Sequence, residues 1–294
     1  VGEADVLQLQ DGWEGWGGVH GPGFTIGPMK KMPIAAVLLA ALPFAAPAVA
    51  APAAQVLVEV KQPESVDADW RAHLCALLPQ PCDAAALTLH RPRGGAPGDY
   101  VVLSQAPLAL GRLKRAADAT EWKLDRLYDF TGYAGSVKEG EAGNGEVQRT
   151  LAPALYPLAD GRWAVAVLQR QFESYSGGGA SFSTADFVPL DAEPASAKAA
   201  YEGIPFSCSK MIRACFTEKE YKTSKHCHEE SNGSLRIAYG EPAKTGGPYG
   251  WQFTWLQSDW AAHVPASATV NTRSRFSGDG SGGGSADFCG GGPQ

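Results

Sequence analysis

The sequence predicts an α+β fold: a ferredoxin-like βαββαβ first half followed by a mainly antiparallel β second half, braced by disulfides. Three observations predict it. Strand-like and helix-like hydrophobic periods alternate over about residues 55–131. Beyond that point β-rich runs are joined across glycine-rich connections. Six cysteines, an even number, are spread from Cys75 to Cys289.

The elements follow in order. Gln55–Val60 (QVLVEV) alternates apolar and polar residues and reads as a strand. Val66, Trp70, Leu74 and Leu77 recur at helical spacing behind Asp67, a candidate N-cap, which predicts a helix over 66–78. Ala86–His90 and Tyr100–Ser104 read as short strands joined by the turn-rich RPRGGAPGD. Leu108–Ala117 predicts a second helix, with Leu110 and Leu113 as its apolar positions. Glu121–Phe130 reads as a strand whose alternation slips at Arg126 and Leu127, the mark of a bulge. The resulting β-α-β-β-α-β order is the split βαβ arrangement.

Residues 134–149 are polar and glycine-rich and read as a surface loop. Trp163–Ser174 and Ser181–Leu190 then form a hairpin pattern across the glycines at 177–179. Residues 191–202 read as a linker between an α+β domain over 51–190 and a cysteine-containing antiparallel β region over 203–276. Strands are expected there near Ser234–Tyr239, Trp251–Leu256 and Ala268–Phe276, before a glycine-dominated tail over 277–294.

The N-terminus reads as an address. Residues 29–50 (MKKMPIAAVLLAALPFAAPAVA) combine Lys30 and Lys31, an apolar run from Ile34 to Leu42, and small residues at Ala48 and Ala50. These are the three parts of a secretory signal peptide. Pro43 and Pro47 interrupt the run well short of the roughly 20 apolar residues that a membrane span needs. Residues 1–28 carry no Lys, Arg or Met but eight Gly, two Trp and four acids, so they read as an over-extended N-terminus. The working chain is then Ala51–Gln294. Removing two lysines and four acids takes its charge from −6 to −4. No transmembrane segment is expected after cleavage, and localisation is expected to be periplasmic or extracellular.

In an exported chain Cys75, Cys82, Cys208, Cys215, Cys227 and Cys289 read as three disulfides. Two C-x6-C spacings favour Cys75–Cys82 and Cys208–Cys215, leaving Cys227 with Cys289. The first is feasible because Pro79 and Pro81 end the helix between its partners.

The function classes narrow mostly by exclusion. An acidic chain lacks the concentrated basic footprint that nucleic acid requires. There is no G-x-S-x-G elbow, and none of His73, His90, His226, His228 and His263 stands out as a base. Gly278–Gly283 matches G-x-G-x-x-G formally, but more glycine follows where a phosphate-binding helix should start. The acid pairs Glu218/Glu220 and Glu229/Glu230 have no spacing that identifies a glycosidase. Asn232-Gly233-Ser234 is a formal glycosylation sequon.

Two constellations remain. His226-Cys227-His228-Glu229-Glu230 is the densest ligand cluster, and in an extended chain His226 and His228 share a face. Trp251, Phe253 and Trp255 alternate along one strand, with Trp260 just after, either as a ligand-stacking face or as core. No cofactor is implied. The expectation is an exported, non-enzymatic binding or interaction protein with an unidentified envelope or extracellular ligand. One alternative is an exported hydrolase acting on cell-wall or other polymer. The other is a metal-binding protein using the His226/His228 segment.

Overall fold

A computed structural model describes residues 52–116, 119, 121–137, 147–194, 196–242, 244–276 and 288–289. The leader-like segments over 1–28 and 29–50, the Gly278–Gly283 tract and nearly all of the tail lie outside the described residues.

The chain forms twelve strands: β1 (Gln55–Glu59), β2 (Leu87–Pro92), β3 (Asp99–Gln105), β4 (Leu108–Lys114), β5 (Lys123–Asp129), β6 (Gln148–Ala159), β7 (Arg162–Tyr175), β8 (Gly178–Pro189), β9 (Tyr201–Arg213), β10 (His228–Gly240), β11 (Gly250–Trp260) and β12 (Val270–Phe276). Two short α-helices accompany them, α1 (Trp70–Cys75) and α2 (Glu218–Thr223). All twelve strands join one antiparallel sheet in the order β12-β11-β10-β9-β8-β7-β6-β1-β2-β3-β4-β5. It is a meander with one exception, since the first strand is inserted between β6 and β2.

This architecture overturns the ferredoxin-like βαββαβ expectation. The fold is mainly β, and the decisive element is 108–114, which is strand β4 rather than a helix. Leu110 and Leu113 are three residues apart and so suit one face of a helix equally well. In the strand they face opposite ways. Leu110 packs with Leu57, Val101, Phe130 and Val165, whereas Leu113 packs with Trp70, Leu74, Leu89 and Trp122. A strand buried on both faces carries no clean period-two signature. Gly111 at its centre suits the close approach, since a Cβ there would stand 2.8 Å from Val102.

Helix α1 forms at the expected spacing but is a single short element of 70–75. Trp70 and Leu74 bury against the β2–β5 face, joined by Leu78 beyond the helix end. Strand β5 carries a bulge as expected, opposite Arg112 and Leu113 of β4, but its extra residue is Asp125 rather than the Arg126–Leu127 step. The hairpin of β7 and β8 also forms, with Gly177 at φ +96° in a two-residue loop. Strand β6 escapes the sequence pattern because Pro153 and Pro157 interrupt it. The structure tolerates them where the β6–β7 register shifts, between Leu151 and Leu155 and between Pro157 and Ala159. Strands β8 and β9, on either side of 191–200, pair directly over most of their length.

Strands β6–β8 are buried on both faces. Val165, Val167, Val188 and Leu190 pack outward against the β1–β5 face. Ala164, Ala166, Ala185 and Phe187 pack inward with Ile204, Trp251 and Phe253. The sheet curls, so that Phe187 of β8 and Trp251 of β11 meet with ring centroids 4.9 Å apart, although two strands lie between them. The curl brings β11 back to β6: the Tyr249 amide donates to the Leu158 carbonyl (2.8 Å) and the Trp251 indole to the Pro157 carbonyl (2.9 Å).

A buried polar cluster fastens the 133–137 loop to this roll. Asp186, with no exposure to solvent, accepts from the Ser136 amide and hydroxyl, the Tyr133 hydroxyl, the Gln169 amide and the Gly203 amide at 2.6–3.1 Å. Burial, together with the neighbouring Asp186 carboxylate, pushes the Tyr133 phenol well above its ordinary pKa.

Three disulfides brace the chain: Cys75–Cys82, Cys208–Cys289 and Cys215–Cys227. The first matches the sequence expectation, and the other two correct it. Cys208 and Cys215 lie along and beyond strand β9, whose extended backbone carries positions seven apart far beyond the 4.4–6.8 Å that a bridge spans. Instead, the turn through α2 returns the chain to Cys215, and the C-terminal segment returns to β9. Among the described residues no helix is long and apolar enough to cross a membrane.

Candidate metal centre

The loop between β9 and β10 is closed by Cys215–Cys227 and organised by α2. Thr217 caps the helix: its hydroxyl accepts from the Glu220 amide (3.3 Å). The Glu220 carboxylate in turn accepts from the Phe216 and Thr217 amides at 2.8 Å each. These bonds, that from Phe216 first, hold the Glu220 carboxyl below the usual carboxylate range. Glu218 pairs with Lys222 one turn on. Both members of that acid pair are therefore engaged in local structure.

The segment leaving this loop is extended, and its alternate residues share a face. That face carries His226, His228 and Glu230. Their ligating atoms all lie within 4.8 Å of one another. The His226 Nε2 to Glu230 Oε1 distance is 3.5 Å. Two ligands of a tetrahedral zinc ion, bonded at about 2.1 Å, stand roughly 3.4 Å apart, so this pair is already at ligand spacing. The His228 ring stands beside the pair, its centroid 5.8 Å from that of His226. Three protein ligands would leave a fourth tetrahedral position open.

The rest of the structure holds His226 in place. Its ring lies flat on the Trp260 indole, and its side chain is only 9% exposed. Its carbonyl accepts from the His263 amide (2.8 Å) and the Ser224 hydroxyl (2.6 Å). That hydroxyl has one proton, which goes to the carbonyl, so at 3.0 Å it accepts from His263 Nδ1–H. His226 Nε2 itself is buried without a hydrogen-bond partner. A buried nitrogen left unpaired is costly, and coordination is one way to satisfy it.

The other sequence candidates sit elsewhere. Trp251, Phe253 and Trp255 are buried at 7%, 1% and 2% exposure, so they pack in the roll rather than present a face to solvent. His73 pairs with Asp67 (2.7 Å) beside Trp122. His90 is buried between the Leu57 carbonyl and the Thr88 hydroxyl. Glu229 is exposed on the opposite side of the strand from Glu230, and Asn232 is exposed on β10. Glu230 is the member of the cluster that sequence reading placed only loosely. Strict alternation from His226 selects it over Glu229. No protein-family model, curated protein or solved structure matches the chain.

Proposed function

We propose that this is an exported binding protein whose ligand is a divalent transition metal, zinc foremost, held by His226, His228 and Glu230. The observation that carries the reading is the buried His226 Nε2, without a hydrogen bond and at ligand spacing from the Glu230 carboxylate, with a second imidazole nearby. Two imidazoles and a carboxylate are the donor set that suits zinc and its neighbours in the first transition row. Three disulfides fit an oxidising compartment, and the 29–50 pattern supports export into one. The Cys215–Cys227 bridge ties the strand end that presents the ligands, so the site forms on an already braced scaffold.

The test is a competition titration of the metal-stripped, disulfide-intact protein against a chromophoric zinc chelator. One zinc per chain is expected, and His226→Ala with His228→Ala should abolish it. A wild-type protein that leaves all zinc on the chelator, or a double variant that binds as the wild type does, would overturn the reading. Sequencing the exported protein tests the address separately, with a mature start at Ala51 expected.

A further inference from the structure

The core between β1–β5 and the outer face of β6–β8 is open at one end. There the facing strands leave a cleft of about 240 Å3, floored by the core residues Leu155 and Leu190. Tyr128 and Trp163 form apolar walls, and Arg112, Arg126 and Arg162 bring positive charge to it. Arg162 is neutralised by Asp191 (2.6 Å). No carboxylate pairs with Arg112 or Arg126 among the described residues. The cleft thus holds two uncompensated guanidiniums in a chain whose net charge is −6.

The bulge in β5 creates that arrangement. Leu113 pairs with Leu124, so an unbroken ladder would set Arg112 opposite Asp125, a favourable pair of opposite charges. The register shifts at this point, and Arg112 instead faces Arg126. Like charges directly opposite one another destabilise a sheet. Bulges recur where a side chain is re-aimed near a functional site. Here the bulge discards a stabilising pair and aims a second arginine along the same face as Tyr128, whose ring lies 5.5 Å from its guanidinium carbon. The ring offsets part of the cost of the like-charge pair, and breaks of a local rule of this kind are expected at functional or strained sites.

We propose that this cleft binds a small carboxylate with a flat apolar body. The carboxylate sits between the Arg112 and Arg126 guanidiniums, whose planar forks match its two oxygens. The apolar body packs against Tyr128 and Trp163. The site is separate from the His226 cluster and does not depend on the metal reading.

Calorimetric titration at low ionic strength, with benzoate as the probe, tests it. Saturable one-to-one binding is expected, weakened at least tenfold by Arg112→Gln with Arg126→Gln. Both side chains are exposed and their like charges oppose one another, so the variant should melt no lower than the wild type and keep its zinc stoichiometry. Benzamide, of the same shape but uncharged, should bind at least tenfold more weakly, and so should inorganic phosphate, which lacks the apolar body. The proposal fails if benzoate does not saturate, if the double variant binds it as the wild type does, or if either control matches it.

Discussion

The His226 imidazole and the Trp260 indole lie face to face, with centroids 3.4 Å apart and planes within 3°. Trp260 ends β11 directly opposite Glu230 in the β10–β11 ladder. One aromatic side chain therefore fixes the ring plane of one candidate ligand while its backbone pairs with another. Its indole N–H is itself anchored on the Val264 carbonyl (3.2 Å).

This stack predicts that Trp260→Leu lowers zinc affinity while leaving the fold intact. Leucine keeps apolar bulk but has no plane to hold the imidazole. Groups that orient a metal ligand without touching the metal are typically worth about ten- to a hundredfold in affinity. The chelator competition titration should show a weakening of that order, with the urea midpoint little changed. Unchanged affinity would mean that the stack does not orient His226.

Asp186 predicts a large stability effect at a residue that belongs to neither site. Its carboxylate collects five donors with no exposure to solvent. Asp186→Ala takes the acceptor from all five, the Gln169 amide alone keeping a second bond, to the Ser136 hydroxyl, and each unsatisfied buried group costs about 1–3 kcal/mol before relaxation. The expected loss is on the order of 3 kcal/mol or more, read by urea unfolding. Asp186→Asn keeps the shape but turns an NH2 toward two or more donors, so it should also destabilise. Hydrogen exchange should rise first in 133–137, the segment that Asp186 fastens.

How much of this was legible beforehand depends on where each residue's information lies. The His226–His228 alternation is local, so the ligand face can be read from spacing, and Glu230 follows by continuing the period. Leu110 and Leu113 were ambiguous, because a spacing of three suits one helix face or the two faces of a doubly buried strand. Only the partner strands decide between them. The Cys208–Cys289 bridge and the Asp186 cluster join residues far apart in sequence, and nothing near either end announces its partner. The Trp251–Phe253–Trp255 stripe marks an apolar face truly. What covers that face, the curl of the same sheet, is a property of the whole chain.

Gly233 predicts a steric effect at the other end of the roll. It sits across from Cys208 on one side and Gln257 on the other. A Cβ there would stand 2.1 Å from Trp255 and 2.7 Å from the Cys208 sulfur. Both neighbours are buried, so neither can swing clear. Gly233→Ala should cost about 1–3 kcal/mol, the usual cost of overpacking a filled core. Urea unfolding gives the magnitude, and a change in the near-ultraviolet dichroism of Trp255 locates it.

His90 predicts how stability responds to mild acid. Burial pushes its imidazole below the ordinary value, against the smaller opposing effects of the Leu57 carbonyl and Glu59. The unfolded chain therefore takes up a proton on His90 from about pH 6.5 downward, where the folded chain resists it. Stability from this group is complete above that pH and falls until the folded pKa is reached. Asp67 acts lower. Burial raises its carboxyl, but the bonds from His73, Trp122 and the Asp69 amide outweigh that and hold it below 3.8. Its contribution is thus complete above 3.8 and is lost as the pH drops through the folded value. Urea midpoints between pH 8 and 5 should decline in the wild type and decline less in His90→Gln. The gap between the two proteins then narrows as the pH falls, and parallel curves would show that His90 is protonated equally in both states.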